Sequence, residues 1–154
     1  MSLPYENTTS GEKALGEIQK LLRGFGCNKF GSMVDDSEGV IFIQFDWRGR
    51  ECSVKASIKG YASAWLKAHP YSSRSRCSLK EYERKALDIA SIAVYSILRD
   101  WIKGQITAIE TGILSFEGAF LGQILLPNTT TTVLDAVMQR EMLPALEQQK
   151  GNQP

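Results

Sequence analysis

The sequence predicts an α+β domain: an N-terminal helix, a three-stranded antiparallel meander, a long central helix and two short C-terminal helices. Three observations carry this. Residues 78–112 form one long run with helical apolar spacing and a signal at each end. Val40 to Trp47 alternates and is rich in β-branched and aromatic residues, then turns at Arg48-Gly49-Arg50. Ala14, Leu15, Ile18, Leu21 and Leu22 repeat at three and four residues ahead of both. Alternation marks a half-buried strand, and the 3.6 period marks an amphipathic helix.

Residues 1–10 have no apolar period and are expected as a loose tail. The first helix starts at Ser10 or Gly11 and stops at Arg23-Gly24-Phe25-Gly26. A short strand over residues 30–34 follows, then a turn by composition, Asp35-Asp36-Ser37-Glu38-Gly39. In the next strand Ile41, Ile43, Phe45 and Trp47 share one side, with Val40, Phe42, Gln44 and Asp46 on the other. Residues 51–58 return as its partner, with Cys52, Val54, Ala56 and Ile58 inward. Antiparallel pairing of consecutive strands is the economical connection. Residues 62–67 are expected as a helical turn around Trp65, ended by His69-Pro70, and residues 71–76 as an exposed basic loop.

The central helix opens on a capping box, Ser78 with Glu81, in which each side chain satisfies an orphan amide of the first turn. Gly112 is placed to take the left-handed conformation beyond its end. About thirty residues at 1.5 Å each give roughly 45 Å of helix. Tyr82, Ala86, Ile89, Ala93, Ile97 and Trp101 form one apolar stripe, and Leu87, Ala90, Val94, Leu98 and Ile102 a second beside it. A helix apolar over this much of its girth requires cover on more than one side, so the core is expected around it. Ser115 is expected to cap a helix with Phe116, Phe120, Leu121, Ile124 and Leu125 inward, stopped by Pro127. Thr132 caps another, with Val133, Leu134, Val137 and Met138 inward, stopped near Leu143-Pro144. The domain spans residues 11–146, and residues 147–154 are a polar tail.

Composition is that of an ordinary globular chain, with 43% hydrophobic and 23% charged residues, and 154 residues bury enough surface to need no staple. Cys27, Cys52 and Cys77 are widely spaced, lack a CxxC and are read as reduced thiols rather than zinc ligands. No secretory signal or membrane span is visible, so the expected location is the cytoplasm of a bacterial host cell, with no membrane partner. The net charge of +1 conceals an asymmetry: residues 48–85 hold ten Lys or Arg against three acids. Such a segment suits a polyanion.

Catalytic chemistry is sparse. The single histidine, His69, sits beside a proline, and neither a phosphate loop nor a dinucleotide fingerprint is present. Asp46, Glu51 and Lys55 invite comparison with strand-borne nuclease sites, yet the spacing of Glu51 and Lys55 is not the familiar one. No catalytic residue, metal or cofactor is assigned, and the chain is expected not to be an enzyme.

Trp101-Ile102-Lys103, Ala108-Ile109-Glu110 with Gly112-Ile113, Ser115-Phe116-Glu117 with Phe120-Leu121, and Ile124-Leu125-Leu126-Pro127 form a distinctive series. With Ile18, Leu21-Leu22, Phe25-Gly26 and the hairpin at Arg48-Gly49-Arg50, they resemble a family of small uncharacterised proteins. That family is encoded by tailed bacteriophages, prophages and other bacterial mobile elements. The resemblance covers about residues 14–146 and implies a setting rather than a chemistry. Two positions depart from its pattern: Gly104 replaces a better helix former, and Asn128-Thr129-Thr130-Thr131 replaces an acidic-glycine turn.

The element order also matches double-stranded-RNA-binding domains, which recognise duplex shape through phosphate and 2′-hydroxyl groups. About twenty residues intervene here between the third strand and the long helix, where those domains have almost none. The expected function is that of a non-enzymatic accessory protein of a phage or mobile element, binding DNA or RNA with low specificity. Arg48, Arg50, Lys55, Lys59, Lys67, Arg74 and Arg76 would meet phosphate, and Trp47, Tyr61, Trp65 and Tyr71 offer stacking faces weighed chiefly as core. The alternative is a protein–protein interaction module that modulates a host or phage protein through Phe116, Phe120 and Met142. Either is compatible with a homo-oligomer.

Overall fold

A computed structural model describes residues 2–139. The element order is α1 (Gly11–Phe25), β1 (Lys29–Asp35), β2 (Val40–Trp47), β3 (Arg50–Ser57), α2 (Ile58–Ala68), α3 (Leu79–Glu110), α4 (Phe116–Phe120) and α5 (Val133–Gln139). This is the α+β class that the sequence predicts.

Local signals account for most boundaries. Ser10 Oγ accepts from the Lys13 amide at 3.1 Å and starts α1. Gly26, at φ +106°, ends it. The Cys27 amide donates to the Leu22 carbonyl and the Gly26 amide to that of Arg23, which is a Schellman closure. Ser78 and Glu81 form the capping box of α3. That helix runs unbroken through Gly104, and Gly112 follows its end at φ +78°.

The sheet order is β1-β2-β3, both pairs antiparallel. Asp35 pairs with Val40 and Lys29 with Asp46; Val40 pairs with Ser57 and Trp47 with Arg50. Ile41, Ile43, Phe45, Cys52 and Val54 are buried on one face against Ile18 and Leu22 of α1 and Ala90, Val94, Leu98 and Ile102 of α3. The two helices run in the same direction: Gly11 lies beside Ile92 and Tyr95, and Glu17 bonds Arg99. Leu87 is the exception in its stripe and stays exposed.

Four segments depart from the sequence reading. Ile58 opens a helix rather than closing a strand, and the expected turn around Trp65 is all of α2. Both the Ile58 and Lys59 amides donate to the Gly39 carbonyl, at 2.8 and 3.2 Å, which draws the chain off the sheet. Ser57 then caps the helix by accepting from the Gly60 amide, and Ile58, Ala62 and Trp65 turn inward at helical spacing.

The helix that starts at Ser115 stops at Phe120 instead of continuing to Pro127. After a 3-10 turn at Leu121–Gln123, Ile124 and Leu125 are extended and lie along β3. The Leu125 amide donates to the Glu51 carbonyl at 2.8 Å, and Ile124 bridges Cys52. The free edge of β3 supplies these partners, and Pro127 disfavours a helical Leu126. Pro127 and Asn128 make a turn closed by the Thr129 amide on the Leu126 carbonyl. Asn128 takes φ +59° there, a conformation that asparagine tolerates better than most residues.

Thr132 and Asp135 cap α5 reciprocally. Of its four expected inward residues, Val133 and Val137 are half-buried, while Leu134 and Met138 are 51% and 62% exposed. The expected stop near Leu143-Pro144 lies outside the described residues, as does the polar tail at 147–154.

The expected loose tail is not seen over residues 2–10, which contact the body of the domain. Leu3 packs against the core, the Tyr61 hydroxyl donates to the Pro4 carbonyl, and the Tyr5 hydroxyl donates to Asp100 Oδ2 at 2.5 Å. No helix among the described residues is long and apolar enough to cross a membrane.

Candidate nucleic-acid interface

The seven basic residues singled out from the sequence are divided among several environments. Arg48 and Arg50 stand at the β2–β3 turn. The Arg48 guanidinium lies 4.6 Å from the centre of the Trp47 ring, and Arg50 is paired with Glu117 of α4. Lys55 lies at the middle of β3, on the sheet face away from α1 and α3, in register with Phe42 and Met33. Lys59, at the start of α2, folds across Gly39 and donates from Nζ to the Ser37 carbonyl at 3.1 Å. These four do not form one surface.

Lys67, Arg74 and Arg76 gather where α2 ends and α3 begins. Lys67 is in the last turn of α2, Arg74 in a 3-10 turn at Ser73–Ser75, and Arg76 follows it at φ +55°. The loop is held in shape by the Tyr71 hydroxyl on the Cys77 carbonyl at 2.7 Å and the Tyr82 hydroxyl on the His69 carbonyl at 2.5 Å. All three cations are exposed, and none has a carboxylate partner among the described residues. Lys80 and Arg84, exposed in the first turns of α3, extend the same end. Lys80 and Arg84 adjoin the loop because α3 follows it directly in the chain; the position of Lys67 depends on how α2 folds back on α3.

The aromatic residues are committed to the fold. Trp65 is buried and packs on Tyr82 and His69, and Trp47 stacks on Phe25 and Phe116. Tyr61 and Tyr71 spend their hydroxyls on backbone carbonyls. The apolar patch expected at Phe116 and Phe120 is absent because both rings are buried, at 3% and 0% exposure, against Trp47, Phe45 and Trp101. Met142 lies outside the described residues.

The acidic and sulfur groups have structural surroundings. His69 Nε2 is 2.8 Å from Glu6 Oε2; this contact, then the Leu3 amide, holds the Glu6 carboxyl below the usual range. Asp46 and Glu51 face each other across β2 and β3, in line with Lys29. Burial pushes the Cys27 thiol up to about 11 and the Cys52 thiol up to about 12, so both are poor nucleophiles at neutral pH. Among the described residues, no three His, Cys, Asp or Glu side chains converge to hold a metal. No known protein family, curated protein or solved structure matches the chain.

Proposed function

We propose that the chain is a non-enzymatic accessory protein of a phage or mobile element that binds nucleic acid with low sequence specificity at the end where α2 meets α3. One observation carries this reading: Lys67, Arg74 and Arg76 stand exposed and without carboxylate partners at a single end, next to Lys80 and Arg84. Phosphate contacts of this kind give affinity and position without sequence information. Two parallel helices over one face of a three-stranded meander, with a basic loop directly ahead of the second of them, also support it. The setting on a mobile element rests on the sequence resemblance alone.

The test is fluorescence anisotropy of labelled single- and double-stranded DNA and RNA at two or more salt concentrations. With about three phosphates neutralised, log affinity should fall with log salt at a slope near −3 on duplex DNA. Arg74→Ala combined with Arg76→Ala should weaken binding and flatten that slope. Arg50→Ala and Lys59→Ala should leave both unchanged. Failure to bind any of the four at low salt overturns the reading.

A second reading, a module that modulates a host or phage protein, is favoured by exposed apolar side chains away from the basic end. Leu134 lines a hollow with Phe42 and Ser53 on the sheet face opposite α1 and α3, and Met33 and Met138 are also exposed. A photo-crosslinker at Leu134 that yields no adduct with another protein in the host cell counts against it.

A further inference from the structure

We propose that two copies of this chain join through their β1 strands, aligned antiparallel about Ser32, to form one continuous sheet. β1 is the edge of the sheet. The opposite edge, β3, is partly occupied by Ile124 and Leu125, whereas no backbone group of another segment bonds the outward side of β1 among the described residues. Between Lys29 and Asp35, the charged residues at its two ends, β1 also lacks the usual protection of an edge. It contains no proline, its register with β2 is one-to-one without a bulge, and Met33 and Val34 are 57% and 44% exposed on opposite faces. Unprotected edges are templates for further strand pairing.

The hairpin geometry shows which groups face outward. Arg48 and Gly49 both have positive φ, 51° and 80°, the signature of a two-residue type I′ loop. Such a loop is closed by a pair that exchanges both backbone bonds, here Trp47 with Arg50. Bonded and non-bonded pairs then alternate along an antiparallel ladder. Ile41, Ile43 and Phe45 therefore bond toward β3, and Val40, Phe42, Gln44 and Asp46 bond toward β1. Their partners in β1 are Asp35, Met33, Gly31 and Lys29. Phe30, Ser32 and Val34 are left with amides and carbonyls directed away from the sheet.

The strand is complementary to itself. With the two-fold axis at Ser32, each of Phe30, Ser32 and Val34 exchanges both its backbone bonds with the partner's Val34, the partner's Ser32 and the partner's Phe30. On the helix-covered face Phe30 then sits beside the partner's Val34, an aromatic against a β-branched residue, which is a favourable cross-strand pair. On the other face Lys29 stands opposite the partner's Asp35, and Met33 covers the partner's Gly31. Asp35 Oδ1 is taken by Ser37 and Glu38 of its own turn, whereas Oδ2 accepts no hydrogen bond among the described residues. Centring the pair on Gly31 or Met33 leaves one end of the strand unbonded and separates the charges, so the Ser32-centred register is preferred.

The experiment is sedimentation velocity of the full chain over about a hundredfold range of concentration. The expected result is a concentration-dependent species of twice the 17.1 kDa chain mass. Ser32→Pro deletes an amide that faces outward, which its own ladder does not use. It should raise the dimer dissociation constant about tenfold or more with an unchanged circular dichroism spectrum. Hydrogen exchange on the unmodified chain is the second readout: the Phe30, Ser32 and Val34 amides should gain protection with concentration, while the Met33 amide stays protected throughout. A monomer at every concentration overturns the proposal. A dimer in which those three amides exchange freely, or which Ser32→Pro leaves intact, overturns its location.

Discussion

Trp47, at the tip of the β2–β3 hairpin, stacks on Phe116 of α4 with ring centroids 4.3 Å apart and planes 19° from parallel. Arg50 and Glu117 form an ion pair across the same junction. The two contacts fasten the C-terminal segment to the sheet, and they differ in worth. Phe116→Ala empties a buried site and should cost about 3–5 kcal/mol. Arg50→Ala breaks a pair whose side chains are 49% and 48% exposed and should cost at most about 1 kcal/mol. Urea denaturation of both variants measures the difference; equal losses would mean that the stack contributes no more than the ion pair.

The thiols divide by burial. Cys27 and Cys52 are buried and pushed up to about 11 and 12, while Cys77 is half-exposed. Titration of the native chain with a thiol reagent near pH 8 should show Cys77 reacting quickly. Cys27 and Cys52 should react only as the chain unfolds. Fast modification of Cys52 in the native state contradicts this packing.

Docking of the N-terminal segment should depend on acid. The His69 contact and Leu3 amide lower the Glu6 carboxyl, and the Tyr5 hydroxyl and then Arg99 lower that of Asp100. A carboxylate lowered in the folded state contributes stability above its unfolded value, about 4, and loses it as pH falls through the folded value. The Leu3, Glu6 and Thr8 amides, which are hydrogen-bonded within the segment, should therefore be protected from exchange near neutrality and released below about pH 4. Tyr5→Phe with Asp100→Asn should loosen the segment at neutral pH. Release that is insensitive to pH would leave these two carboxylates without a role in docking.

Two glycines should respond with opposite signs. Gly104 is exposed within α3, and a Cβ there meets nothing within 4 Å, so Gly104→Ala should stabilise by about 0.5–1 kcal/mol. Gly39 sits at φ +65° beneath the Lys59 side chain, so Gly39→Ala should destabilise. Thermal melts decide both.

The sequence by itself determined the elements whose signals are local. Ser10 and Gly26 bound α1, Ser78 and Glu81 start α3, and the alternation from Val40 to Trp47 sets both the strand and its buried side. These follow from caps, turns and periods within a few residues. Tertiary structure decided what depends on distant backbone. Gly39 turns Ile58 into a helix start, the edge of β3 draws Ile124 and Leu125 out of a helix, and Tyr61, His69 and Asp100 hold the first residues. The candidate site was legible as a count of charges along residues 48–85, but charge in sequence has no direction. Only the placement of Glu117 and Gly39 removes Arg50 and Lys59 from it, and only the return of α2 onto α3 brings Lys67 to Arg74 and Arg76. A local signal is read where it is written; a partner from another element becomes visible only once the chain has closed.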